Sequence, residues 1–326
     1  PRSRSAGCWP SSAEGAGGEC FLFDNRVHTY EAVNQRIDNV VRGLIQAGVR
    51  PAAHVGVVMQ TRPSALAAIV ALSRLGAVAV LLPPGREVHT ALRIDVSSAS
   101  SPIRRIWTPR SPPAFKCSCS AAVPARPRRG SVGECLDLEK IDPDAVTLPG
   151  WYRPDPGLAR ELAFIICSES NGHWETKQIT NYRWALSAFG TASAADLDRG
   201  DTVYCLAPLH HSSSLLAAIG GAVAGGSRIA LSRGLDPERF AEEVHRYGVT
   251  VVSYTWTMMR EILDAENLAL DGSHPVRLFI GSGMPQGLWR RTTERFAPAK
   301  VLEFYASTEG DVVLANVAGA KVGAKG

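Results

Sequence analysis

Short apolar runs that follow segments with helical spacing constrain the fold of this chain more than any other feature of its sequence. Residues 54–59 and 78–82 are largely apolar and lack the in-out alternation of a half-exposed antiparallel sheet. Residues 29–48 and 64–75, which precede them, carry apolar side chains at helical spacing. Strands that are apolar on both faces and alternate with helices are typical of a helix-covered parallel sheet. The sequence therefore predicts an α/β fold of layered subdomains, with mainly parallel sheets flanked by helices.

The same alternation continues through the second half of the chain. Residues 162–167 are predicted as a buried strand that leads into a polar loop. Asp236 and Pro237 form an N-cap and first-turn pair, which predicts a helix over residues 238–247. Five further strands are predicted at residues 202–206, 227–231, 250–254, 276–280 and 301–304, with helices between them.

Two segments show no periodic pattern. Residues 1–20 are rich in Ser, Gly, Ala and Pro, and residues 99–134 are rich in Pro, Arg, Ser, Ala and Cys. Such compositions cannot bury a core face, so we expect both segments to be disordered. The internal segment is either a surface insertion or the product of a shifted reading frame. Two parts of one folded domain then remain, at residues 21–98 and 135–326.

Charge and cysteine content exclude some classes of partner and location. The net charge of +4 comes from seven basic residues within residues 101–130, and the rest of the chain is slightly acidic. A nucleic-acid-binding fold spreads basic side chains over several elements, so we expect no nucleic-acid partner. The seven cysteines are an odd number without a CxxC pair, and no signal-peptide pattern opens the chain. These features predict a cytoplasmic protein.

Two apolar stretches are long enough to be compared with membrane spans. Residues 64–82 and 213–230 are each interrupted by an arginine and by glycines. Both patterns predict a helix followed by a strand instead of a transmembrane helix.

A glycine-rich loop, residues 281–287, follows the predicted strand at 276–280 and has two interpretations. It could be a dinucleotide-binding turn, with Glu303 at the end of the next strand holding a ribose. The spacing is GxGxxxG instead of GxGxxG, however, and Pro285 interrupts the turn. Alternatively, the glycines let the backbone lie along a flat adenine ring.

The segment after the next predicted strand supports a nucleoside triphosphate as the ligand. Tyr305 can stack on a base, Thr308 can donate a hydrogen bond to a phosphate, and Glu309 offers an oxygen ligand to Mg²⁺. All three lie within five residues. A nucleoside triphosphate with Mg²⁺ needs these groups, but a Tyr and a Glu after a strand, taken alone, are more often core and surface residues.

Residues 305–309, Tyr-Ala-Ser-Thr-Glu, match the Tyr-Gly-x-Thr-Glu motif of the AMP-forming adenylating superfamily, which includes acyl-CoA synthetases and luciferases. The chain most resembles the long- and very-long-chain or fatty-acid-transport branch. That resemblance is carried by residues 201–211, 239–244, 276–284 and 303–305, and it extends to residues 28–33 and 76–80.

The resemblance implies that a long or very long fatty acid is activated by ATP to acyl-AMP and then transferred to coenzyme A. It implies Mg²⁺ as a cofactor and allows peripheral contact with a membrane. A fatty-acyl-AMP ligase, which passes the acyl group to a carrier protein, is the close alternative. An NAD-dependent oxidoreductase and a non-catalytic remnant are the alternatives of other classes.

The resemblance also assigns roles to individual residues. The predicted ATP and AMP contacts are Ser168, Ser170, Asn171, Gly172, Lys177, Gly281, Ser282, Gly283, Met284, Tyr305, Ala306, Ser307 and Thr308. The predicted catalytic residues are Thr308, Glu309, Lys177 and His211, and Glu309 is also the predicted Mg²⁺ ligand. The predicted acyl-pocket residues are His210, His211, Tyr254 and Trp256.

The chain departs from the superfamily pattern in two places. The phosphate loop, of the form Thr-Ser-Gly-Thr-Thr-Gly-x-Pro-Lys, should follow residues 162–167, but Glu169 replaces a glycine and Lys177 lies two residues too far along. A carboxylate in a phosphate cradle opposes ATP binding. The sequence also stops before the ribose-binding aspartate and the C-terminal subdomain that carries the catalytic lysine. We therefore expect these 326 residues alone to be inactive or strongly impaired.

Overall fold

The computed structural model describes residues 18–84, 141–170, 173–266, 268, 272–306, 313–316 and 322, and a two-stranded sheet formed by β5 (Ala122–Pro124) and β6 (Cys135–Asp137). The chain divides into two compact units. The first unit comprises residues 1–16, 31–60 and 64–182, and the second comprises residues 17–30, 61–63 and 183–326.

A four-stranded sheet with the order β3-β4-β7-β8 forms the centre of the first unit. Its strands are β3 (His54–Val58), β4 (Val78–Leu82), β7 (Leu162–Ser170) and β8 (His173–Thr180). The first three strands are parallel, and β8 pairs with β7 in the antiparallel direction. All five residues of β4 are buried, which explains why its sequence is apolar throughout. Helix Tyr30–Gln46 precedes β3, and helix Pro63–Arg74 connects β3 to β4; both bury the apolar stripes that the sequence predicts.

An eight-stranded sheet with the order β14-β13-β12-β11-β9-β10-β1-β2 forms the centre of the second unit. The six inner strands are parallel, and β2 and β14 add antiparallel edges. The strands are β1 (Glu19–Phe23), β2 (Arg26–Thr29), β9 (Thr202–Cys205), β10 (Arg228–Leu231), β11 (Val251–Thr255), β12 (Leu278–Ser282), β13 (Lys300–Ala306) and β14 (Val313–Asn316).

Helices of the second unit alternate with these strands. They are Asn181–Ala194, Gly220–Gly225, Pro237–Arg246, Trp256–Asp264 and Gln286–Arg295. Helix Gly220–Gly225 directly continues the π-helical segment Ser214–Ile219. Asp236 caps the helix Pro237–Arg246 by accepting hydrogen bonds from the backbone N–H groups of Glu238 and Arg239, as its sequence predicts. The predicted α/β fold with mainly parallel sheets and flanking helices is therefore confirmed.

The predicted strands of both units begin and end within two residues of their predicted bounds, with one exception. That exception is β7, which continues into residues 167–177, where the sequence predicted a loop. The structure extends β7 to Ser170 and begins β8 at His173, so that prediction is wrong. Strand β1 also begins at Glu19, inside the segment expected to be disordered. Residues 1–17 and most of residues 99–134 lie outside the described residues.

The two apolar stretches that were compared with membrane spans fold as predicted. Each forms a helix followed by a strand, and Gly226 ends the second helix with a positive φ of 76°. Within the described residues, none of the helices has the length and apolar composition needed to cross a membrane.

A buried carboxylate joins the starts of three neighbouring strands in the second unit. Asp201, just before β9, accepts hydrogen bonds from the Arg277 guanidinium at 2.7 and 2.9 Å and from the Thr250 hydroxyl at 2.6 Å. Arg277 precedes β12 and Thr250 precedes β11. Burial raises the pKa of Asp201, but the hydrogen bonds from Arg277 and Thr250 outweigh burial and hold the pKa below its usual value of 3.8.

Asp201→Asn is expected to lower the free energy of unfolding by about 1–2 kcal/mol at pH 7, because the charge-assisted hydrogen bonds are lost. The expected loss of stability is modest because the Arg277 side chain is 40% exposed and can be hydrated. Since the pKa of Asp201 is lowered in the folded state, the greater stability of the wild type over the variant is present above pH 3.8. It disappears as the pH falls through the folded-state pKa of Asp201. Urea denaturation at pH 7 and pH 3 measures both effects, and a difference that does not shrink at pH 3 would contradict this account.

Candidate functional site

The carboxyl ends of four neighbouring parallel strands meet at one edge of the second unit's sheet. These strands are β9, β11, β12 and β13. Ligands of open α/β sheets bind at this edge, outside the carboxyl ends of the strands. The predicted residues Tyr254, Trp256, Gly281, Ser282, Gly283, Met284 and Tyr305 all lie on these strands or directly after them.

Tyr254, Gly281 and Glu303 stand side by side in one row across β11, β12 and β13. A Cβ atom on Gly281 would lie 2.6 Å from the Tyr254 carbonyl oxygen and 2.7 Å from Cε2 of its ring. Glycine is therefore required at position 281 for close packing against Tyr254. This structural reason differs from both sequence interpretations, which related Gly281 to a ligand.

Glu303 is buried, with 1% of its surface exposed, and it fixes the start of the glycine loop. Its Oε1 accepts a hydrogen bond from the backbone N–H of Met284 at 2.9 Å, and its Oε2 accepts one from the Tyr254 hydroxyl at 2.5 Å. Both oxygens are thus engaged inside the protein. The interpretation in which Glu303 holds a ribose is therefore wrong, and Met284 cannot offer its N–H to a ligand.

Tyr254 belongs to the hydrophobic core of the second unit. It is 1% exposed and packs in the same cluster as Phe279 and Trp289. Burial and the neighbouring Glu303 carboxylate raise the pKa of Tyr254 well above its usual range, so its hydroxyl remains a hydrogen-bond donor. Tyr254 is thus a buried residue that holds Glu303, and its predicted role in the acyl pocket stays a prediction.

Exposed aromatic surface lies next to this buried row. Tyr305 lies two residues after Glu303, on the same face of β13, and is 46% exposed. Trp256 begins the helix after β11 and is 39% exposed, with the Arg260 guanidinium 5.1 Å from its ring centre. Gly283 has a φ of +82°, and a Cβ atom there would lie 3.2 Å from Trp256 Cδ1. Backbone and two aromatic rings thus form surfaces on which a flat base can lie.

The loop after β9 carries the two predicted histidines. Its backbone is anchored by the Leu209 N–H, which donates to Thr61 Oγ1 at 3.1 Å, and by the Ser214 hydroxyl, which donates to the Ala207 carbonyl at 2.9 Å. A π-helical segment, Ser214–Ile219, follows directly, and such segments are frequent at functional sites.

The two histidines differ in environment. His211 is exposed, and its Nδ1 lies 2.7 Å from Ser213 Oγ and accepts from the Ser213 backbone N–H at 3.3 Å. The Ser213 backbone N–H, as a donor to Nδ1, favours the tautomer of His211 with its proton on Nε2. His210 is half-buried, and burial lowers its pKa, so it is neutral at pH 7. Their acyl-site roles stay predictions.

The segment predicted to bind phosphates forms a β-hairpin in the first unit. Pairing between β7 and β8 continues from Cys167 opposite Thr176, through Ser168 opposite Glu175, to Ser170 opposite His173. Only residues 171 and 172 lie between the strands. Lys177 stands opposite Ile166 and is half-buried. An Asn-Gly pair between two extended runs is typical of a hairpin, and this signal could have corrected the loop prediction.

Several predicted site residues lie outside the described residues. These are Asn171, Gly172, Ser307, Thr308 and Glu309, and the description also leaves out the side chains of Ser170 and Ala306. Their roles stay predictions. Within the described part of the chain, no group of three or more His, Cys, Asp or Glu side chains is placed to hold a metal ion.

Sequence comparison relates this chain to a family of AMP-binding enzymes, a fatty-acid–CoA ligase and fatty acid transport proteins. The family described as AMP-binding enzyme matches residues 10–144 and 175–325, and the match omits the segment that contains β7. The medium/long-chain-fatty-acid–CoA ligase FadD6 of Mycobacterium tuberculosis is 28% identical over 92% of this chain and 50% of its own length. Human long-chain fatty acid transport protein 1 is 27% identical over 95% of this chain and 48% of its own. The chain thus spans about half the length of these curated relatives.

Solved structures share the fold at low sequence identity. Apo MatB from Rhodopseudomonas palustris superposes with a TM-score of 0.71 at 14% identity, over 94% of this chain and 60% of that protein. The o-succinylbenzoate coenzyme A synthetase MenE from Bacillus subtilis, in complex with ATP and magnesium ion, gives a TM-score of 0.67 at 19% identity, over 94% and 62%. This likeness concerns the fold alone.

Proposed function

Because the chain belongs to the AMP-binding enzyme family, we propose that it carries the adenosine- and acyl-binding part of an enzyme that activates long-chain fatty acids. The observation that carries the proposal is the loop at residues 281–284, held by Glu303 beside the exposed Tyr305. This loop lies at the edge of the sheet where α/β proteins bind ligands. Low-identity relatives that are fatty-acid–CoA ligases and fatty acid transport proteins support the acyl substrate.

In the proposed reaction of the whole protein, a carboxylate oxygen of the fatty acid attacks the α-phosphorus of ATP. The bond to the β-phosphate oxygen breaks, and pyrophosphate leaves. The thiol of coenzyme A then attacks the acyl carbonyl, its proton is lost and AMP leaves. Mg²⁺, when held by Glu309, would neutralise phosphate charge.

The described residues of the second unit would bind and orient the adenylate. Tyr305 would stack on the adenine, the backbone at Ser282 and Gly283 would lie along the ring, and His211 would orient the fatty-acid carboxylate. Holding the carboxylate near the α-phosphate accelerates the reaction by removing translational and rotational freedom.

A fatty-acyl-AMP ligase remains the alternative, since it shares the adenylation step and differs only in the acceptor. The dinucleotide-dependent oxidoreductase is not retained. Glu303, the residue it requires at the ribose, has both oxygens engaged by Met284 and Tyr254, and the matched family is that of AMP-binding enzymes.

Tyr305→Ala is expected to weaken binding of AMP by roughly 5- to 150-fold, because stacking of a base on an aromatic ring contributes about 1–3 kcal/mol. Tyr182→Ala is a matched control, since Tyr182 is another exposed tyrosine, at 61%, and lies on a helix with no predicted ligand role. Isothermal titration calorimetry of wild type and both variants measures the effect. Equal losses in the two variants, or no loss in Tyr305→Ala, would refute the proposed adenine site.

A further inference from the structure

We infer that Trp256, which the family resemblance assigns to the acyl pocket, is instead a positioning residue of the adenosine site, because its indole supports the turn at Gly283. The inference rests on the proposed function, since it assumes that adenosine binds along the backbone of residues 282–283 beside Tyr305. Its new content is that Trp256 acts on the nucleotide part of the ligand and not on the acyl chain.

Strand register brings Trp256 beside Gly283. Strands β11 and β12 are parallel and paired to their last residues, with Thr255 opposite Ser282. Trp256 and Gly283 come next on the two chains, so they leave the sheet side by side. A Cβ atom built on Gly283 would lie 3.2 Å from Trp256 Cδ1 and 4.0 Å from Trp256 Cγ. The pyrrole edge of the indole thus covers Gly283 on the side where any other residue would carry its side chain.

The turn at Gly283 depends on this contact more than the rest of the loop does. The next residue, Met284, is held by Glu303, which accepts from its backbone N–H, and its sulfur lies 3.8 Å from the Thr292 hydroxyl oxygen. Gly283 has a φ of +82°, a conformation in which glycine keeps wide backbone freedom. Among the described residues outside its chain neighbours, Trp256 alone lies within 4 Å of the Cβ position built on Gly283.

The helix Trp256–Asp264 fixes the indole in this place. Met259 and Ile262 of this helix are fully buried in the core cluster of the second unit. Arg291, in the helix that begins directly after the glycine loop, donates to the Asp264 carboxylate at 2.6 Å. Both partners of the contact between the indole and the turn are therefore attached to helices that are joined to each other.

A cation on the indole makes Trp256 unsuited to an apolar pocket. The Arg260 guanidinium lies over the ring, 5.1 Å from its centre, and the Arg260 side chain is exposed. This contact is favourable and keeps the ring in one orientation. An alkyl chain on the same side of the ring would have to displace or dehydrate the guanidinium, which costs free energy. The ring is thus better placed to support Gly283 than to line a path for a long acyl chain.

Calorimetric titration of the wild-type 326-residue chain and of Trp256→Ala with two ligands tests this inference. The ligands are AMP and a non-hydrolysable long-chain acyl sulfamoyl adenosine. We expect the Kd values of both to rise about tenfold in the variant, because the unsupported turn must then be ordered on binding. The ratio of the two Kd values should stay within about twofold of its wild-type value, since both ligands lose the same support. A rise for the acyl analogue alone would identify an acyl-pocket residue and would overturn the inference.

Two further variants distinguish positioning from a general loss of structure. Trp256→Phe keeps an aromatic ring beside Gly283 and should recover most of the affinity for AMP. Trp151→Ala is a matched control, because Trp151 is also 39% exposed and carries the Arg50 guanidinium 4.9 Å from its ring centre. Trp151 belongs to the first unit and has no predicted ligand role, so its removal should leave the Kd for AMP unchanged. Equal losses in the two alanine variants, or no recovery in Trp256→Phe, would overturn the inference.

Arg260→Met separates support of the ring from direct attraction of a phosphate by the cation. Methionine keeps an unbranched apolar side chain beside the indole, so the loss of affinity for AMP should be smaller than in Trp256→Ala. A loss larger than in Trp256→Ala would show that the guanidinium itself contacts the ligand, which would contradict the role inferred for the ring.

Failure of this inference and failure of the proposed function give different results. If the wild type binds AMP and Trp256→Ala binds it with unchanged affinity, the inference falls and the proposed function stands. If the wild type binds neither AMP nor the acyl analogue, the proposed function falls and this inference falls with it.

Discussion

Gly281→Ala is expected to lower the free energy of unfolding by about 3 kcal/mol or more and to abolish detectable AMP binding. The new Cβ atom would lie 2.6 Å from the Tyr254 carbonyl oxygen, and strand pairing on both sides of β12 prevents the backbone from moving away. Overpacking of this kind typically costs 1–3 kcal/mol, and contact with backbone atoms gives the higher values. Urea denaturation measures the first effect and calorimetry the second.

The same glycine motif offers a matched control. Gly287, the last glycine of residues 281–287, is the second residue of the helix Gln286–Arg295, and a Cβ atom there meets no atom within 4 Å. Gly287→Ala should therefore be neutral or stabilise the protein by up to about 1 kcal/mol. Equal stabilities of the two variants would contradict the close packing described at Gly281.

Glu303→Leu is expected to lower the free energy of unfolding by about 2–5 kcal/mol, because the Met284 N–H and the Tyr254 hydroxyl would be buried without an acceptor. AMP binding should weaken at least tenfold in the folded variant, since the glycine loop loses its anchor. Glu303→Gln should restore both properties, because the amide oxygen can accept from Met284 and the amide N–H can donate to Tyr254.

A substitution at a second buried carboxylate, Glu243, distinguishes a loss of loop positioning from a general loss of stability. Glu243 accepts a hydrogen bond from the Tyr204 hydroxyl at 2.6 Å, in a helix that carries no predicted nucleotide contact. Glu243→Leu is expected to alter stability while leaving the affinity for AMP unchanged in the folded protein. If both leucine variants weaken AMP binding equally, Glu303 has no specific role at the site.

The inner strands and capped helices could be predicted because their signals are local. Strand β4 is apolar on both faces and therefore visible as a run, and Asp236 with Pro237 marks a helix start wherever the chain goes next. Strand β8 could not be recognised in this way. It lies at an edge of its sheet and exposes Glu175 and Gln178, so its composition resembles that of a loop.

The internal contacts of the candidate site were harder to predict than the positions of its motifs. The motifs lie at the ends of β12 and β13, because parallel strands bring such loops to one edge of the sheet. The partners of Glu303 were not predictable, since Tyr254 lies 49 residues away in sequence and the contact depends on strand register. Sequence spacing likewise could not distinguish the buried Tyr254 from the exposed Tyr305, as both are aromatic residues at strand ends.

The pairing of β1 with β10 has a consequence for the order of folding during synthesis. Phe21 stands opposite Ile229, so β1 leaves the ribosome about 200 residues before its parallel partner. At typical elongation rates, β10 would follow roughly 10 to 40 s later. The four-stranded sheet of the first unit can form within that interval, because all its strands lie between His54 and Thr180. Strand β1 can pair with β2 as soon as both have emerged, but its other edge must stay unpaired until β10 is synthesised.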